Sequence, residues 1–363
     1  MIRAVFRLIK RVIVIAVLLL ILVLAPSVYV EVACRAAPEQ QDSNSLITDT
    51  AFRRAEANTY LTYPEWHIVY AYEGLANTLK TGDEYAFPYL SSITGFWRSF
   101  CELNKEANRH GGGDFATRAT IHTIGASFTL EMGLKAAYEE TIGRLASGLR
   151  GPDKSEQDIF ARKMAADYAG FLQQTPWYKY DFDAAVDGLW AQPVTSFLRA
   201  WERRLALGAE WKAKAAYARV IAGAVATTTG NAQLRIRSAV SGLSPDQLTS
   251  INGVDVVRTG ADYVIIETPR YRAFTSIARE IFKAGGGFVE IAGNDDIMIS
   301  AIRDKDSAGR GGADIRNGSI ISRLEREGFG GSRLLVGTQV ALLDELMVEF
   351  DAAGIRLEHI YDY

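Results

Sequence analysis

The chain has 363 residues, of which 48% are hydrophobic and 23% charged, and its formal net charge is −3. This is ordinary globular composition. It excludes long disorder and, with no basic cluster beyond the first residues, argues against a nucleic-acid partner. Two cysteines, Cys34 and Cys101, are too few for a cysteine-built zinc site, and their spacing does not decide whether they pair.

Arg3, Arg7, Lys10 and Arg11 precede an uncharged apolar run over residues 12–30. Its length is close to the ~20 residues that an α-helix needs to cross a bilayer. Basic residues flank its N-terminal side, acidic Glu31, Glu39 and Asp42 follow it, and Tyr29 stands where an interfacial anchor belongs. The pattern predicts a single transmembrane helix over 12–30 acting as a signal anchor. Residues 1–11 would be a cytoplasmic basic segment, and the bulk would be periplasmic or extracytoplasmic beside the inner membrane. The partners would be the membrane itself, through one span, and a membrane protein. A cleaved signal peptide is the rival, since Ala25-Pro26-Ser27 offers small residues at the cleavage positions. A lipoprotein box ending at Cys34 is spoiled by Glu31.

Residues 31–49 read as a polar tether, and residues 50–229 as an all-α helical domain. Thr62 and Glu65 have capping-box spacing ahead of a helix that buries Trp66, Val69 and Tyr70. Phe96, Trp97, Phe100 and Leu103 give the next helix one apolar face. A long helix follows over 115–149, and Ser155 with Asp158 opens a fourth. Near Gly230 the apolar period shifts from 3.6 toward 2. Ser244 and Gln247 make a further capping box. Residues 230–363 then alternate strands with amphipathic helices, which predicts one α+β ferredoxin-like (split βαβ) sandwich with a hairpin across Gly293-Asn294-Asp295. The polar loop 304–318 is the best interaction candidate in this domain. No internal repeat is visible.

The chemistry is thinly marked. Arg109-His110-Gly111-Gly112-Gly113-Asp114 echoes a glycine-rich oxyanion loop, but no Gly-x-Ser-x-Gly elbow accompanies it, so it reads as an interhelical connection. No metal motif or cofactor fingerprint occurs, and no cofactor is expected. His67, His122 and Glu131 are the residues that could gather round a divalent metal. With Tyr70, they are also the candidates for acid–base catalysis.

The leading expectation is a membrane-anchored extracytoplasmic accessory or scaffold protein that acts by binding protein or ligand. The alternative is an enzyme acting on an amphipathic or envelope substrate in a pocket of the helical domain. Geometry separates the two. An enzyme needs those side chains converging in one cleft, and a scaffold leaves them scattered.

Overall fold

A computed structural model describes residues 2–39, 45–225, 234–305 and 315–363. The middle of the loop 304–318, part of the tether and the expected domain boundary near Gly230 lie outside the described residues. Helix α1 (Ile2–Ala33) begins the chain. Among the described residues, no helix is long and apolar enough to cross a membrane. This overturns the expected span over 12–30. With it go the signal anchor, the single-span membrane partner and the single-pass inner-membrane placement with a cytoplasmic N-terminus and a periplasmic bulk. Exposed apolar side chains stand along α1 from Ile13 to Val32, but its last turns also carry Glu31 and are not exposed all round. Farther on, α1 turns one side to the protein. Val30 is buried, Cys34 is bonded to Cys101, and Glu31 pairs with His122 and Arg118. Tyr29, expected as an anchor, is exposed, as are Arg7, Lys10 and Arg11, and the side chain of Arg3 lies outside the described residues.

The helical region continues through α2 (Asn58–Thr78), α3 (Tyr89–Arg109), α4 (Phe115–Tyr138), α5 (Arg144–Arg150), α6 (Glu156–Leu172), α7 (Phe182–Ala191) and α8 (Phe197–Val225). A π-helical turn, Glu139–Gly143, joins α4 to α5. The core of this region is aromatic, with Tyr63, Trp66, Phe96, Phe100 and Phe128 packed together. Helix α2 already begins at Asn58, upstream of the point where Thr62 would cap it. The Thr62 hydroxyl donates to the Asn58 carbonyl instead of capping, and Thr59 anchors the first turn by donating to the Tyr361 carbonyl and accepting from the Met298 amide.

The remaining chain does not form the single split βαβ sandwich expected of it. It forms two four-stranded antiparallel sheets. The first comprises β1 (Arg235–Ser241), β2 (Asp255–Thr259), β3 (Val264–Pro269) and β4 (Gly287–Ile291), in the order β2-β3-β1-β4. A short helix α9 (Pro245–Thr249) follows β1, and α10 (Arg272–Lys283) joins β3 to β4. The second sheet comprises β5 (Asp296–Arg303), β6 (Ser319–Glu325), β7 (Ser332–Gln339) and β8 (Ile355–Ile360), in the order β6-β7-β5-β8, with α11 (Leu343–Ala353) before β8. The expected hairpin across Gly293 therefore does not exist: β4 pairs with β1, whereas β5 pairs with β7 and β8.

The two units repeat one another. The pairing Ala239↔Ile265 corresponds to Ser300↔Leu335, and Ala239↔Glu290 to Ser300↔His359. The irregularities match too: a bulge after Ala239 in one unit and after Ser300 in the other, and one between Val256 and Arg258 and between Ile320 and Ser322. Equivalent side chains fill the shared core, where Ile236, Val240, Val264, Ile266, Phe288 and Ile291 face Ile297, Ala301, Leu334, Val336, Leu357 and Ile360. The opposite faces differ. Residues around Ile47 cover Ala239 and Ile265, while α2 covers the second sheet, burying Met298, Leu335 and Tyr361 with Tyr63 and Tyr70.

Candidate functional site

Of the four side chains singled out in the helical domain, His67 and Tyr70 both pack against Tyr63 on α2, while His122 and Glu131 lie on α4 with partners of their own. His67 is buried on α2, where Nε2–H donates to the Ser92 carbonyl at 2.9 Å. Burial pushes its pKa down to about 4, against the pull of that bond. His122 lies on α4 with Nε2 2.9 Å from Glu31 Oε1 of α1. Glu131 accepts from the Tyr72 hydroxyl and sits 2.8 Å from Lys214 Nζ, which also reaches Glu210. Tyr70 faces the second sheet, with its hydroxyl 3.5 Å from Ser300 Oγ and 3.4 Å from that of Tyr361. The Arg333 guanidinium, paired with Glu358, lies 3.6 Å over its ring. Among the described residues, no hydrogen bond or ion pair joins any of the four to another.

Two other groups bring potential metal ligands together among the described residues. Asp83, Glu84 and Asp158 form one, and it is already filled by cations. Arg150 donates to Asp83 and Asp158 at 2.9 Å each, Lys154 lies 2.6 Å from Asp83, and the buried Arg199 and Arg203 reach Asp158 and Glu84. These contacts knit α5, α6 and α8 into one charged core.

The second group is Glu56, His110 and Asp296, and it draws on three distant segments. Glu56 precedes α2, His110 closes α3 as its C-cap, and Asp296 opens β5. His110 Nδ1 stands 3.6 Å from Glu56 Oε2 and 4.0 Å from Asp296 Oδ2. The other ring nitrogen, Nε2, lies 3.1 Å from the Tyr60 hydroxyl, and the two rings stack with centroids 5.0 Å apart. Glu56 Oε1 accepts from the Asp296 amide at 2.8 Å, which ties the start of α2 to β5. Burial and then Glu56 raise the Asp296 pKa, with His110 pulling the other way. Burial lowers that of His110, but the hydrogen bond to Glu56 and the charges of Glu56 and Asp296 outweigh it and raise it. The sequence showed His110 only as part of a glycine-rich loop. The available signal was the Asp295-Asp296 pair, but nothing local says that β5 starts beside the end of α3.

The surface carries one more ordered feature. Phe197, Leu198, Trp201 and Leu205 are exposed along one face of α8, with Phe197 74% exposed. Trp201 packs edge-on against the half-exposed Trp190 of α7 at 5.7 Å, and Phe197 flanks it at 6.4 Å. Arg204 staples this ridge by donating to the carbonyls of Trp190 and Gln192 at 2.9 and 2.7 Å, with its guanidinium over both tryptophans. Comparison of the chain with protein-family models, with curated proteins and with solved structures finds no match.

Proposed function

We propose that this protein works as an accessory or scaffold protein, binding another protein through the aromatic ridge on α7 and α8. The ridge carries the reading. Large apolar side chains normally fill the core, and here several stand together at the surface in fixed positions. Tryptophan and arginine are enriched among the side chains that dominate binding energy at protein interfaces, and aromatic rings bury much area for only two side-chain torsions. The stapling by Arg204 lowers the ordering cost of association. That no hydrogen bond or ion pair among the described residues joins His67, Tyr70, His122 and Glu131 to one another favours this reading over a helical-domain enzyme.

The test uses tagged full-length protein recovered from its own cells alongside a Phe197→Ser/Leu205→Ser variant, with circular dichroism confirming that both fold. A partner recovered in stoichiometric amount with the native ridge and lost with the variant is expected. The same partners at the same yield with both proteins would overturn the reading.

A further inference from the structure

We propose that Glu56, His110 and Asp296 form a binding site for one first-row divalent cation, which clasps the helical region to the second sheet. The three ligand atoms lie within 4.8 Å of one another. Ligand atoms about 2.1 Å from a common ion stand roughly 3–4 Å apart, so His110 Nδ1 needs little movement to share an ion with Glu56 Oε2 and Asp296 Oδ2. One imidazole with two carboxylates is a borderline donor set. It suits Zn²⁺ or Mn²⁺ better than a purely oxygen-seeking or purely thiophilic ion.

Three further observations fit an ion rather than an ordinary ion pair. The first is the supporting contact at the far side of His110. A metal-bound histidine commonly gives its other nitrogen a fixed hydrogen-bond partner, which sets the tautomer and the ring orientation. The Tyr60 hydroxyl stands 3.1 Å from Nε2 and its ring stacks on the imidazole, which orients Nδ1 toward the two carboxylates, where an ion would displace the proton that His110 shares with Glu56. The second is crowding of like charge. Glu56 Oε2 and Asp296 Oδ2 both face His110 Nδ1, at 3.6 and 4.0 Å, and Asp295 adjoins them in the chain, so carboxylates crowd this corner. A divalent cation relieves their mutual repulsion more fully than one imidazolium does. The third is the C-terminal side chain, Tyr363. It is 3% exposed and its hydroxyl has no hydrogen-bond partner among the described residues. Burial raises its pKa well above the ordinary value, and the charges of Glu56, Asp296 and Asp295 add to that. A buried hydroxyl normally has a partner, and a water completing the coordination sphere of an ion would supply one. Three protein ligands leave room for such water.

The experiment uses the full chain stripped with a chelator and dialysed into metal-free buffer. Titration calorimetry with Zn²⁺ and with Mn²⁺ should give one site per chain, and a His110→Gln or Asp296→Asn variant should weaken it at least tenfold. Glu56→Gln serves as a third variant should either of these fail to fold. A readout that needs no variant is the electron spin-echo modulation of the Mn²⁺-loaded native protein, which should show one directly coordinated nitrogen. Absence of a one-to-one site for either ion, unchanged affinity in the variants, or a bound Mn²⁺ without nitrogen coupling would each overturn the proposal. A protein that loses its partner on ridge substitution yet fails these tests keeps the scaffold reading and loses only the metal.

Discussion

His67 gives the most quantitative expectation. Its ring is buried, Nε2–H is used by the Ser92 carbonyl, and Nδ1 has no hydrogen-bond partner among the described residues. A proton on Nδ1 would place an uncompensated charge among Tyr63, Phe96 and Phe128. The folded pKa is about 4, against 6.5 in the unfolded chain. Between these values the unfolded chain binds a proton here and the folded chain does not. Stability therefore rises with pH across the window and is lost as pH falls from 6.5 through 4. A gap of about 2.5 pH units, at about 1.4 kcal/mol each, comes to about 3.5 kcal/mol in full, of which about 3 kcal/mol is lost between pH 7 and pH 4. The perturbation is His67→Gln, whose amide can keep the bond to Ser92 and does not titrate. Urea midpoints at pH 7 and pH 4 should show the native protein losing about 3 kcal/mol more than the variant. Parallel losses in the two proteins would refute the reasoning. His359, pushed down to about 3 by burial and then Arg279, acts in the same direction, and a His67→Gln/His359→Gln double variant should flatten the acid limb further.

Three other expectations follow from buried contacts. Arg203→Ala strands Glu139 in the charged core and takes from Glu84 one of its two arginines. It should cost about 3–5 kcal/mol in chemical denaturation; adding Glu139→Gln should recover part of the loss. Gly74→Ala would put a Cβ 2.3 Å from the Glu327 carbonyl oxygen, where α2 meets the turn after β6, so it should lower the melting temperature by the equivalent of about 1–3 kcal/mol. Cys34 and Cys101 are 67 residues apart in the chain and bonded; a Cys34→Ser/Cys101→Ser variant should lose about 4 kcal/mol by loop-entropy arguments, and a loss below about 1 kcal/mol would show that α1 adds little to cooperative stability.

Local signals were readable and long-range ones were not. The capping boxes at Ser155–Asp158 and Ser244–Gln247 form as their spacing implies, because four consecutive residues contain all the necessary groups. The same spacing at Thr62 and Glu65 misleads, because Thr59 is held by Tyr361 and Met298, which lie far along the chain. Short apolar runs mark β4 and β5 as strands, but they cannot say which strand each one pairs with. That is why one sandwich was expected where there are two sheets. The apolar run of α1 shows a length and a charge asymmetry, while its docking through Val30, Glu31 and Cys34 is written in α3 and α4. At the Glu56–His110–Asp296 cluster, each residue type was ordinary in its own segment and only the fold makes the three neighbours.

The repeat explains both why it escaped the sequence and what it demands physically. Corresponding core positions are alike in kind but seldom identical. Ile236 matches Ile297, yet Val240 answers to Ala301, Ile266 to Val336 and Phe288 to Leu357, so only the apolar character is kept. Their partners on the outer faces diverge because those faces meet different surroundings. Glu290 accepts from Ser45 and the amides of Leu46 and Ile47, whereas its counterpart His359 stacks on Trp66. The inner faces are spent on one another. Helix α10 reaches β8, where the Thr275 hydroxyl accepts from the Ile360 amide, and α11 reaches β4. Each unit thus completes its core with the other, since α10 packs on both β3 and β8, and α11 on both β8 and β4. Residues 296–363 expressed alone should therefore expose Ile297, Leu334, Val336 and Leu357, bind a hydrophobic dye and unfold without a sharp transition. A cooperative melt from that fragment would show that the shared core is not what holds the two units.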